Sequence, residues 1–83
     1  MRVFMQLIDE PDKAPRFYHL QLQEDLISGW TLVREWGQQG APGRIKQDHF
    51  DTREAAEHAL LKVRDAQLGR GYRVVYRQGS ELI

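Results

Sequence analysis

The sequence has no cysteine, which excludes disulfides, a thiolate nucleophile and any Cys-based zinc site, and fits a reducing cytoplasm as the expected location. It has no net charge either: twelve Lys and Arg balance twelve Asp and Glu. The molecule as a whole therefore exerts no general pull on polyanions, which counts against strong nonspecific nucleic-acid binding. No apolar run approaches the roughly 20 residues of a membrane span, and Met1 to Ile8 lacks the basic start and apolar middle of a signal peptide. His19, His49 and His58 have no second His or Cys at ligand spacing, so no metal and no cofactor is expected. Ser28, Ser80 and the threonines have no histidine and carboxylate at a motif spacing, and the chain does not read as an enzyme.

What is there suits one small domain over residues 1–83, with hydrophobic residues at 41% and charged residues at 29%. Arg2 to Ile8 reads as a first strand whose alternation is blurred by Phe4 and Ile8. Residues 9–15 hold two prolines and four charges and read as a loop. From Arg16 the alternation is clean, with Tyr18, Leu20 and Leu22 on a dry face and His19 on the wet one. Glu24 to Gly29 is a loop in which Leu26 and Ile27 either fold back over the core or form a contact surface. Trp30, Leu32, Arg34 and Trp36 share one face of the next strand, setting Arg34 between two indoles, where it either meets a phosphate or pairs with an acid on the neighbouring strand. Arg44 to Phe50 returns as a fourth strand, with Arg44 and Lys46 on one side of it.

Thr52, with Glu54 in the first turn, predicts a helix start, and Asp51 with Glu54 offers an alternative capping box. Ala55, Ala56, Ala59, Leu60, Val63 and Ala66 form its apolar stripe, Gly69 and Gly71 its end, and Glu57 and His58 read as surface residues. Tyr72, Val74 and Tyr76 then alternate as a last strand, and residues 78–83 read as a frayed tail. The fold class is α+β: an antiparallel sheet of four to five strands with one packed helix. Lys62, Arg64, Arg70, Arg73 and Arg77 face only Asp65 between positions 62 and 77, so a basic patch is possible where the total charge gives none.

The most distinctive stretch is Trp36-Gly37-Gln38-Gln39-Gly40-Ala41-Pro42-Gly43-Arg44, three glycines and a proline within nine residues between two strands. Gly37, Gly40 and Gly43 permit positive φ and close approach, and Pro42 stiffens the bend. An indole beside open backbone N–H groups and an Arg suits stacking on a sugar or base with a phosphate nearby. The literal Gly-x-x-Gly from Gly40 to Gly43 joins two strands, whereas an RNA clamp or a nucleotide fingerprint needs helical flanks.

Together with Arg16-Phe17-Tyr18, Trp30-Thr31-Leu32-Val33-Arg34-Glu35-Trp36-Gly37, Phe50, Ala56 and Gly71-Tyr72, this stretch resembles the WGR domain family over about residues 15–73. The third motif position is Gln38 where the name calls for Arg. The resemblance is to stand-alone bacterial-type members, related to the WGR domain of poly(ADP-ribose) polymerases. It implies a small antiparallel sheet with one helix, and contact with DNA near a strand break. Carried over, Trp36 is the stacking residue and Gly37 the close-approach glycine; Gln38 removes a cationic phosphate contact. With these, Arg34, Arg44, Lys46 and Arg73 make the expected nucleic-acid-binding set. Two functions follow: a non-catalytic module for DNA ends or distorted DNA, or a protein-interaction module in which Trp36, Leu26-Ile27 and Tyr72 form an apolar patch with an arginine rim. Either way a monomer with no membrane contact is expected.

Overall fold

The computed structural model describes residues 1–79. Its five strands are β1 (Arg2–Leu7), β2 (Arg16–Glu24), β3 (Trp30–Gln38), β4 (Arg44–Phe50) and β5 (Arg73–Gln78), and its helix is α1 (Arg53–Gly69). The strands form one sheet in the order β4-β3-β2-β1-β5, with every neighbouring pair antiparallel. The first four strands make a meander, and α1 then carries the chain across one face from the β4 edge to the β5 edge. Only that face is covered by the helix. The opposite face is left to solvent, the usual arrangement for an antiparallel sheet whose strands alternate apolar and polar.

The alternation is strict where it matters. Val3 and Met5 of β1, Tyr18, Leu20 and Leu22 of β2 and Leu32 of β3 point under the helix and meet Ala56 and Leu60 of α1. Phe4 does not blur the pattern, as the sequence suggested; it belongs to the open face, where its ring stacks on Phe17 at 6.1 Å. Ile8 falls outside β1 and is exposed. On α1 the stripe is narrower and slightly rotated from the one predicted: Ala56 and Leu60 are buried, Leu61 and Val63 pack partly against the core, and Ala55 and Ala66 are exposed.

Thr52 caps the helix, its Oγ accepting from the Ala55 backbone N–H at 3.1 Å, with Glu54 in the first turn as expected. At the other end Gly71, at φ 102°, lets its own N–H reach the Leu68 carbonyl and the Tyr72 N–H reach the Gln67 carbonyl. This is the double bond of a Schellman ending, which needs a left-handed residue at that point. It turns the chain straight into β5, and a bulge between Phe4 and Met5 then shifts the register. Val74 faces the core opposite Met5, while Tyr76 pairs with Phe4 on the open face under the Arg2 guanidinium. The even alternation expected of Tyr72, Val74 and Tyr76 is thus broken by one residue. Of the tail expected at 78–83, Gln78 closes β5, and 80–83 lie outside the described residues.

Leu60→Ala is expected to cost about 2–5 kcal/mol, since a fully buried side chain leaves a cavity under the sheet. Gly71→Ala should cost about 1–2 kcal/mol by forcing a Cβ into the left-handed region. Urea unfolding of the two variants checks both.

Candidate nucleic-acid interface

Three features of the chain bring chemistry to one place. The β2–β3 register sets Tyr18 opposite Trp36, and their rings stack at 5.6 Å with planes 10° apart. Tyr72, delivered by the Schellman turn, meets Tyr18 edge-on at 6.1 Å. Trp36 is half-buried and packs against the core, so the indole is a supported plate and not the open one the sequence suggested. Its remaining surface lines a cleft of about 960 Å³ between the C-terminal half of α1 and the sheet.

The cleft is rich in cations. Arg16 enters from β2, Arg34 from β3, Lys46 from β4, and Lys62 and Arg70 from the helix and its cap; among the described residues the one acid in the lining is Asp9. Arg34 sits opposite Lys46 in the β3–β4 ladder and reaches Asp48 at 3.4 Å, the pairing foreseen for it, while Arg16 lies 3.9 Å from Asp9. Among the described residues, Lys46, Lys62 and Arg70 make no ion pair or side-chain hydrogen bond. Two polar atoms of the lining, Arg34 Nε and Gln67 Oε1, are buried without a partner. Unpaired buried groups within a charged cleft mark a place where water or a ligand completes the bonding. The arrangement can stack a flat group against Trp36 and hold two or three anionic oxygens around it.

The expected site residues divide. Trp36, Arg34 and Lys46 come together in the cleft. Arg44 is the cross-strand partner of Trp36 at the start of β4 and is exposed beside it. Gln38 is turned to the 9–15 loop, its Nε2 donating to the Ala14 carbonyl at 3.3 Å. Arg73 pairs with Gln6 on the face opposite the helix and does not reach the cleft. Gly37 and Gly43 have ordinary backbone angles; only Gly40 of this loop has positive φ, 88°. A Cβ on Gly43 would stand 3.0 Å from the Trp36 carbonyl and 3.1 Å from the Phe17 ring, and one on Gly37 would stand 3.1 Å from Gly43. The motif glycine thus serves close packing within the hairpin. Arg16 of β2 was not expected here, and Lys62 and Arg70 of α1 and its cap were expected only as part of the cationic excess after position 62, because helix and sheet residues meet only in the fold.

Other candidates lie apart. Arg53, not Arg34, covers Trp30, its guanidinium 5.3 Å from the ring, and it also binds Glu57 at 2.7 Å. Leu26 and Ile27 do not fold over the core: they stand free at the β2–β3 turn, the opposite end of β3 from Trp36, so the single apolar patch imagined around Trp36, Leu26-Ile27 and Tyr72 does not form. Among the described residues there is no cluster suited to a metal ion, and no helix is long and apolar enough to cross a membrane.

An antiparallel sheet with one helix, bearing a cationic aromatic cleft, defines a small α+β domain of the binding type. The WGR domain family model matches residues 1–79, and the chain belongs to that family. No curated protein and no solved structure matches it.

On the open face, His19 is half-buried beside Phe4, and its pKa is lowered by burial and by the Arg2 charge, with Glu35 opposing. Between that lowered value and the ordinary 6.5, the unfolded chain binds a proton that the folded chain does not. Stability is therefore fully present above 6.5 and falls as pH drops through this window. In His19→Gln the midpoint of urea unfolding should fall less between pH 7.5 and 5.5 than in the wild type; equal falls would remove His19 from the account.

Proposed function

We propose that the domain is a non-catalytic nucleic-acid-binding module that receives a DNA end or a distorted site in the cleft beside Trp36. The observation that carries this reading is the gathering of Lys46, Lys62 and Arg70, all without ion-pair partners, around the exposed part of a stacked indole in a chain with no net charge. A terminal nucleotide places a flat sugar and base against the ring and its phosphates among the cations, and an end admits the plate where an intact stack does not. Arg34 and Arg44 extend the cationic rim toward the flanking phosphate. Arg73, on the other face, has no part in this arrangement. With Gln38 engaged by the Ala14 carbonyl, the positive charge comes from the helix and β4 instead of from the motif's third position.

Few phosphates are neutralised, so binding is weak and steeply dependent on salt. With about three contacts, log K against log salt should have a slope near −3 on duplex DNA. Fluorescence anisotropy with blunt, nicked and single-stranded oligonucleotides at two salt concentrations tests this. Trp36→Ala should weaken binding roughly 5- to 150-fold, from the loss of about 1–3 kcal/mol of stacking. Lys62→Ala and Arg70→Ala, which alter exposed side chains, should each lower the salt slope by about 1. No binding at low salt, or equal binding by wild type and all three variants, would end the proposal.

A further inference from the structure

Leu26 and Ile27 are exposed to 104% and 97%, two adjacent aliphatic side chains held entirely in water. The loop that carries them is braced. Asp25 accepts from the Thr31 hydroxyl, lies 2.6 Å from His49 Nδ1, and donates its backbone N–H to the Gly29 carbonyl at 3.0 Å. Gly29 takes φ 95° to close the turn. A tip fixed in this way loses little freedom when it docks, which favours association.

Its surroundings are acidic. Glu24 at the end of β2, Asp25 and Asp51 in the turns and Glu54 in the first turn of α1 lie at this end, and the basic side chains among them are Arg53, already engaged with Glu57 and Trp30, and His49, set against Asp25 and Asp51. Such a tip is repelled by nucleic acid and by anionic lipid, and is drawn to an apolar hollow ringed by cations. The chain itself has one. The cleft offers Leu7, Val63 and Tyr72 as apolar lining and Lys46, Lys62 and Arg70 as unpaired cations. It lies at the far end of β3, about 20 Å away at the rise of a strand, in a molecule 44 Å long. One copy cannot therefore fill its own cleft.

We infer that the Leu26–Ile27 tip of one copy docks in the cationic aromatic cleft of a second copy. The contact is head to tail: each copy offers a tip at one end and a cleft at the other, so association continues into short chains instead of stopping at a symmetric dimer. A contact made by one loop is small, and the assembly is correspondingly weak and salt-sensitive. Dilute protein stays monomeric. Because the tip takes the cleft that Trp36 lines, self-association and anion binding exclude one another.

Sedimentation equilibrium of the full chain tests the inference. The apparent mass should rise above 9.7 kDa with concentration and return toward it on adding salt. The double variant Leu26→Ser/Ile27→Ser should remain monomeric, and so should Lys62→Glu/Arg70→Glu; circular dichroism checks that each is folded. An equimolar mixture of these two variants, one keeping a cleft and the other a tip, should form a pair and nothing larger. Wild type that stays monomeric throughout, a tip variant that associates like wild type, or a mixture that does not pair would each overturn the proposal. Oligonucleotide binding, measured on dilute monomer, stands or falls separately.

Discussion

The pairing of Tyr18 with Trp36 across β2 and β3 is the constraint on which the rest depends. Because side chains alternate between faces, a slip of one residue would move Trp36, Arg34 and Leu32 out from under the helix and expose the core. In the observed register Leu32 seals the middle of the sheet, Trp36 is propped by Tyr18, and Arg34 emerges where the helix ends. The same pairing that buries the core therefore sets the height at which the indole meets the cleft. Gly37 and Gly43 serve this register too, letting the hairpin close over Phe17 without a Cβ in the way.

Elements governed by local chemistry were legible in the sequence. The alternation of Tyr18, Leu20 and Leu22, the Thr52 cap and the Gly71 ending each follow from a few neighbouring residues, and each is found as read. Features decided by distant partners were not legible. The β5 bulge depends on how β1 lies beside it, so the faces of Val74 and Tyr76 were open until the strands were paired. Whether Arg34 or Arg53 covers Trp30 depends on where the helix begins relative to β3, which no strand periodicity contains. The cleft shows the same limit: Trp36, Arg34 and Lys46 were legible from one hairpin, whereas Arg16 joins them through the pairing of β2 with β3, and Lys62 and Arg70 through the crossing of α1. Arg73 had the right charge and the wrong face.

A net charge of zero describes this molecule poorly. Five of its cations line the cleft, against Asp9 among the described residues, while carboxylates surround the loop at the other end. Local fields act over about a Debye length, roughly 8 Å in physiological salt, which is shorter than the molecule. Each end therefore presents its own sign to a partner, and the sum over the chain is irrelevant to either. Family membership gives the shape, and on that shape the cations around Trp36 are drawn from β2, β3, β4 and α1, with Gln38 at the motif's third position.

The chain carries two tryptophans, Trp30 and Trp36, at opposite ends of one strand, each with its own indole N–H. A heteronuclear NMR titration of labelled protein with a short blunt-ended duplex reads both in the same spectrum. The account predicts that the Trp36 indole signal shifts with the backbone signals of residues lining the cleft, while Trp30 stays in place. A shift confined to Trp30, or equal movement of both, would contradict it.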